Sequence, residues 1–313
     1  MSDTYLKIRN SDGTEFTETA LLSFSFRKDA YTPYTSLNAR AVTNETLYSS
    51  AAEILLYVEG ILVHHGLIDS IGAETSGGIT VTSFASRGFS SLLCQNQIEP
   101  GLKLSISFNA LMDSYYVLPY VTHEDNSDAS NYIYVKNHST MWDGVVNLSY
   151  KLNGTYPYIR GTNCVRITPV SQPSAFVYTG ADLLSTGSRI SGKRLVSNFH
   201  MSDINGDFGT FELTDSDVTA QKIVRHQFFE LDRQFLYSPQ DALVFRDKYC
   251  TRGWKQRFCT YSGYNGEDIS DTVTFSGVNA ERIASVTITG SSSGIITEVG
   301  IYSDKFPREI ANA

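Results

Sequence analysis

One helical period stands out in a chain otherwise patterned as strands. Met141, Val145, Leu148 and Leu152 recur at i, i+4, i+7 and i+11, the spacing that lays apolar side chains along one face of an α-helix. Ser139 or Thr140 stands where the first free N–H groups of that helix need an acceptor, and Gly154 supplies the left-handed residue that commonly ends a helix. After Pro157 the turn residues Arg160, Gly161, Thr162 and Asn163 lead into Cys164, Val165, Arg166 and Ile167, which alternate like a half-buried strand. A single well-marked helix among strands predicts a helix-containing unit inserted between two β-units.

The flanks supply those units. Before the helix, Leu22, Phe24 and Phe26 alternate with Ser23, Ser25 and Arg27, and Leu37, Ala39 and Ala41 alternate with Asn38 and Arg40. Residues 54–58 and 61–65 flank Glu59-Gly60, a two-residue turn that suits hairpin twist, and the second strand runs on past Gly66, where a bulge or bend is expected. Gly77-Gly78 then turns the chain into residues 79–85, and residues 87–93 close the unit as a short helical turn. About six strands within ~90 residues predict a small antiparallel barrel or sandwich.

Beyond Pro169 and Pro173, which mark a boundary, residues 176–178 form a short strand and residues 195–201 another. Asn205-Gly206 turns into residues 210–213, and residues 223–235 are a less regular strand-like stretch. Ser238-Pro239 reads as a cap followed by proline at the first helical position, with a helix running to Gly253. Strands return at residues 258–264 and 273–275, and a last hairpin joins residues 283–289 to 295–302. The expected fold is mainly β with an α/β insert: two tube-like antiparallel β-barrels plus an inserted helix-containing domain. The divisions are 1–101 for the first barrel, 102–187 for the insert, 188–306 for the second barrel with a helical insertion near 238–253, and 307–313 for a flexible tail. Two similar β-units raise the possibility of a duplication, although no sequence repeat is visible.

Composition narrows the function. With 41% hydrophobic and 19% charged residues the chain is a folded, globular one, and its 19 Tyr and 17 Phe suit pleated, half-buried surfaces. A net charge of -8 argues against a surface built to neutralise phosphates, so no sequence-specific nucleic-acid binding is expected. The N-terminus lacks a secretion signal and no apolar run approaches the ~20 residues a membrane span takes, so no membrane insertion is expected and cytosolic synthesis is the default. Cys94, Cys164, Cys250 and Cys259 are scattered, with none of the close pairing of zinc sites, and read as free thiols.

No HExxH, Walker-type loop or GxGxxG is present, and the one GxSxG match, Gly290-Ser291-Ser292-Ser293-Gly294, is the turn of the last hairpin and not a strand-to-helix elbow. His64-His65 would have to be a metal site against one core and one surface histidine, since neighbours on a strand face opposite ways. Glu124, Asp125 and Asp128 make either a hydrolytic pair or a hydrophilic loop. Asp203, Asp207, Glu212, Asp215 and Asp217 have a calcium-loop composition but miss its spacing, which leaves a solvated hairpin edge. Trp142 and the tyrosines either stack on sugars or pack a core or interface. Sequons such as those at Asn44, Asn147 and Asn153 matter only in a secreted protein. No catalytic, cofactor-binding or metal residue is assigned, and no cofactor is expected.

Several segments resemble a known family. LLYVEGILVHHGLIDSI at residues 55–71, with its glycine-to-aspartate step at Gly66 and Asp69, and GGITVTSFASRGFSSLLCQNQIEPG at 77–101 resemble the first barrel of tail hub proteins. These are the Mu-type and PBSX-type baseplate hubs of phages and phage-derived contractile particles, related to the late control D family. STMWDGVVNLSYKLNGTYPYIRGTNCVRITP at 139–169 is similar to the family's helix and strand pair, and DISDTVTFSGVNAERIASVTITGSSSGIITEVGIY at 268–302 to the closing strands of its second barrel. The resemblance touches most of the chain and is weakest over residues 203–258.

The resemblance implies a mechanical role and no enzyme. Such proteins form a trimeric ring at the distal end of a tail tube, each chain contributing two tube-like barrels, so that a threefold object docks onto a sixfold tube and carries a trimeric spike. The implied partners are two further copies of the chain, the tail tube protein, the spike or needle protein, the tape measure protein and other baseplate proteins. The implied location is the tail tip of a virion or phage-like particle, assembled in the bacterial host cytoplasm. The acidic balance leads us to expect an acidic lumen through which DNA passes without sticking. Tyr31 and Tyr34 are expected to face a neighbouring chain. The alternatives are a carbohydrate-binding or cell-wall glycan-degrading tail-tip protein, or a tube or distal tail protein built on one barrel type.

Overall fold

The computed structural model describes residues 3–44, 48, 50–231 and 238–307. The first part of the chain holds β1 (Tyr5–Asn10), β2 (Glu15–Glu18), β3 (Leu21–Asp29), β4 (Ser36–Thr43), β5 (Ala51–Val58), β6 (Ile61–Ser76) and β7 (Ile79–Gly88). A 3-10 turn at Phe89–Ser91 and the short α1 (Leu92–Gln95) close it, as the sequence predicts. The middle part holds β8 (Gly101–Ser107), α2 (Phe108–Tyr115), β9 (Thr122–His123), β10 (Ala129–Val135), α3 (Met141–Asn153), β11 (Tyr158–Arg160) and β12 (Cys164–Arg166). The last part begins with β13 (Ala175–Val177), β14 (Leu183–Ile190), β15 (Asn198–Met201), β16 (Phe211–Thr214), α4 (Ser216–Ala220) and β17 (His226–Phe229). It ends with α5 (Pro239–Thr251), β18 (Lys255–Ser262), β19 (Thr272–Phe275), β20 (Val278–Arg282), β21 (Ser285–Ser291) and β22 (Gly294–Ser303).

Strands from both ends of the chain build one curled antiparallel sheet of eleven strands, in the order β14-β18-β22-β21-β3-β4-β7-β6-β5-β1-β2. The mainly β fold with a helix-containing insert is therefore the fold found. The two strand sets meet edge to edge where β21 pairs with β3, from Ser285 opposite Asp29 to Gly290 opposite Phe24. Gly290 is required there, because a Cβ would run into the Phe24 ring. Both sets feed one apolar core, in which Leu6, Ile8, Phe24, Phe26, Ile54 and Leu56 pack with Val273, Val286, Ile288 and Val299.

Each set repeats the same succession. In the first, the pairs β3–β4 and β6–β7 lie in the order β3-β4-β7-β6; in the second, β14–β18 and β21–β22 lie in the order β14-β18-β22-β21. The strands β5-β1-β2 cover the core of the first set, and the separate sheet β13-β19-β20 covers the second. Between β14 and β18 the second set carries an extra piece: the sheet β16-β15-β17 with α4 and α5, built around Phe199, Met201 and Leu243. The helix expected near 238–253 is α5, with Pro239 in its first turn.

The insert is centred on α3. The Thr140 side chain accepts from Asp143 N at 3.1 Å while Asp143 accepts from Thr140 N at 2.8 Å, a reciprocal cap, and Gly154 ends the helix at φ 66°. Val145 and Leu148 are fully buried against Leu111, Phe108 and Ile133.

Local strand pattern misleads in three places. Leu22 is expected inside, yet it is the extra residue of a bulge between Leu21 and Ser23 and lies 43% exposed. Gly66 is not the bulge: the registers shift at Val63 and Asp69, and Gly66 is small because a Cβ would meet the Arg87 carbonyl across the strand pair. The helix α2 has no counterpart in the expected elements, although Ser107 caps it by accepting from Ala110 N at 3.1 Å and Phe108, Leu111 and Met112 keep helical spacing. The strand expected over 223–235 is β17, with residues 232–235 outside the described residues, as are residues 308–313 of the expected tail and Glu45-Thr46 of the first sequon.

Candidate functional site

The residues weighed for chemistry are mostly consumed by structure. His64 is fully buried, bonded to Thr35 Oγ1 at 2.7 Å and Ser86 Oγ at 2.8 Å, and burial lowers its pKa to about 3. His65, facing the other way, packs on Phe89 and Tyr120 and meets Glu53 at 2.9 Å. Glu124 is buried and accepts from Ile167 N, Thr168 N and Thr168 Oγ1 at 2.6–2.8 Å, with Arg166 at 2.7 Å. It fastens the end of β12 and is not paired with Asp125, which takes Asn109. Asp203 accepts from Asn205 N and Asp207 N, Glu212 meets His200, and Asp215 caps α4. Trp142 is buried in the insert core. Among the described residues no group of three His, Cys, Asp or Glu side chains converges as a metal site, and no helix is long and apolar enough to cross a membrane.

The polar side chains that do converge form a joint between the three parts of the chain. Lys28 of β3 is buried and donates to the Gly161 carbonyl at 2.6 Å and to Asp268. Asp268 also accepts from Gly161 N at 2.7 Å, while Arg160 donates to Asp271 at 2.9 Å and to the Ile269 carbonyl at 2.7 Å. Asn163, at the end of the same turn, accepts from Ser90 N and donates to the His65 carbonyl, both at 3.0 Å. The turn after the marked helix thus grips both β-sets. Sequence reading missed Lys28, Asp268 and Asp271, because a partner 240 residues away leaves no local pattern.

Aromatic rings seal the joint. Tyr31 stacks on Tyr302 at 5.8 Å, meets Tyr156 at 5.2 Å and donates to Asp304 at 2.5 Å. Tyr34 lies under the Arg87 guanidinium at 5.8 Å. Both tyrosines make contacts within the chain and are half-buried, because β22 and the segment after it return beside β3 and bring Tyr302 and Phe306 to Tyr31.

What remains open is the sheet itself. One face of the eight strands β14 to β6 is covered by the core, and the other presents Ser25, Asn38, Arg40, Ser83, Thr289 and Ser185, all exposed. Several of its charges pair: Arg189 with Glu298, Arg87 with Asp69, and Arg27 with Asp29 at 3.4 Å. Besides the terminal strand β2, two stretches of sheet edge lie within or beside the four-stranded units. The edge strand β14 exposes Leu184 and Ile190, at 60% and 72%, and β6 beyond Leu67 loses β5 and pairs with β7 alone.

No protein-family model matches the sequence, and no curated protein matches it. Solved structures do. A tail protein from Neisseria meningitidis MC58 superposes with a TM-score of 0.68 at 13% identity, over 97% of each chain. The 43 kDa tail protein of prophage MuSo2 from Shewanella oneidensis gives 0.67 at 13% identity, over 98% of this chain and 99% of that one. The E. coli c3393 protein gives 0.56 at 9% identity, over 98% and 80%. It is described as a component of the type VI secretion system with structural similarity to the T4 tail proteins gp27 and gp5. The chain has the fold of these tail proteins.

Proposed function

We propose that the chain is the structural hub of a phage or phage-like tail tip, in which three copies close into a ring between a sixfold tube and a threefold spike. The observation that carries this reading is the repeated succession β3-β4-β7-β6 and β14-β18-β22-β21 within one sheet. A chain that presents the same four-stranded unit twice lets three chains offer six similar units, and a closed cyclic ring is the usual way to satisfy a head-to-tail edge. The three-part division expected at residues 1–101, 102–187 and 188–306 belongs to the same reading, with its second boundary moved ahead of β13, because β13 and β14 pair with β19 and β18 of the second set. So do the tube, spike, tape measure and other baseplate partners, the tail-tip location and assembly in the host cytoplasm. No catalytic role is assigned.

In this ring the open face of the sheet lines the bore. That lining is rich in hydroxyl groups and carries three arginine–carboxylate pairs, so a polar wall is proposed where the total charge leads us to expect an acidic one. Net charge fixes the sum and not the distribution. DNA passing such a wall meets neither a cationic trap nor an anionic repulsion. The test is the mass of the purified chain across concentration by native mass spectrometry or mass photometry. A species of three chains is expected; six chains or a strict monomer at every concentration goes against the hub reading.

A further inference from the structure

We infer that β6 of one copy pairs antiparallel with β14 of the next, in the register the chain already uses on itself between β21 and β3. The inference rests on the ring reading above and specifies its contact. The two sets correspond strand for strand, so β21 matches β6 and β3 matches β14, and the seam inside the chain is the pattern for a seam between chains.

The residue alignment follows from two features that agree. The first is the hairpin ends: β21 and β22 close at Ser291 opposite Gly294, and β6 and β7 close at Ser76 opposite Ile79. Four residues back from each end stand Thr287 and Gly72. Crossing the sheet from Gly72, the partners are Ser83, then Arg40, then Ser23. Crossing from Thr287, they are Glu298, then Thr260, then Ser185. The second feature is a bulge. β3 shifts register between Leu21 and Ser23, and β14 shifts between Leu183 and Ser185. Each bulge is written Leu-Leu-Ser, with an arginine four residues after the serine, Arg27 in one and Arg189 in the other. The walk across the sheet and the bulge therefore put Ser23 on Ser185 independently.

The seam inside the chain places Val286 opposite Lys28, Thr287 opposite Arg27 and Ile288 opposite Phe26. Transferred to two chains, Ile71 comes opposite Ile190, Gly72 opposite Arg189 and Ala73 opposite Ser188. Ile190, 72% exposed in the single chain, is then covered by Ile71. Glu74 comes diagonal to Arg189, within reach of an opposite charge on the same face. Open backbone groups on β14 and on the far half of β6, which otherwise invite uncontrolled pairing, are satisfied by each other.

The experiment is disulfide trapping in the full chain. Ala73→Cys with Ser188→Cys, and separately Gly72→Cys with Arg189→Cys, place thiols opposite each other across the seam; Ala73→Cys with Arg189→Cys is out of step by one residue and faces them oppositely. After mild oxidation both matched pairs are expected to give covalent dimers and trimers, and the unmatched pair and the parent chain with its four native thiols are expected to give none. Equal cross-linking of the unmatched pair, or no cross-linking in variants that are trimeric by mass, overturns this register while leaving the ring. Variants and parent that all remain monomeric overturn the ring reading itself.

Discussion

Lys28→Met is expected to destabilise the chain by about 3 kcal/mol, the low end of what removing one partner of a buried ion pair costs. Lys28 is 5% exposed and bonds both Asp268 and the Gly161 carbonyl, so its loss leaves Asp268 without its directly bonded cation, with only the Arg160 charge nearby, at the meeting point of three parts of the fold. Asp268, at 17% side-chain exposure, keeps Gly161 N and some solvent, which is why the low end applies. The reverse change, Asp268→Asn, should cost a comparable amount by stranding the ammonium. Combined, the two should cost clearly less than their sum, since neither charge is then buried alone. Thermal or denaturant unfolding of the three variants measures this; additive losses would mean that the pair is not coupled.

The second large effect is on pH. Glu267 lies 2% exposed where the Tyr178 and Tyr261 hydroxyls donate to one oxygen and Asn265 N donates to the other at 3.2 Å. Burial raises its pKa from 4.5 to about 7 against the pull of the backbone N–H groups of Glu267 and Asn265, with the nearby Asp271 charge adding to the rise. The folded chain therefore holds this proton more tightly than the unfolded one. The stabilisation is full below pH 4.5 and is lost as pH rises through 7, a fall of about 3 kcal/mol between pH 4 and 8. Glu267→Gln cannot ionise, and its stability should lack that fall. The slope is the readout, because the amide also turns one acceptor toward Asn265 N into a donor and shifts stability at every pH. A variant whose unfolding midpoint follows the parent's across that range would show that Glu267 does not carry the dependence.

Local signals were legible where residues close in sequence do the work. The cap and glycine stop of α3, the turns at Glu59-Gly60 and Gly77-Gly78, and the final hairpin depend on a few neighbouring residues, and all are found. Leu22 and Gly66 were misread because a bulge resets the alternation on which burial reading depends. The Lys28–Asp268 bond and the β21–β3 seam link residues 240 to 266 apart, and no periodicity reports such pairing. The duplication suggested by the two β-units shows no sequence repeat for a related reason: its trace is one tripeptide and one arginine, at Leu21 to Arg27 and Leu183 to Arg189, with an extra sheet and two helices lodged between the second copy's strands.

The symmetry of the assembled ring, imaged by electron microscopy of the tail tip or of the purified oligomer, is the most direct measurement. Three chains around the axis, with six four-stranded units repeating around one continuous wall, is the expected image. Six chains around the axis, or three chains whose two β-units sit at unlike radii or tilts, would contradict it.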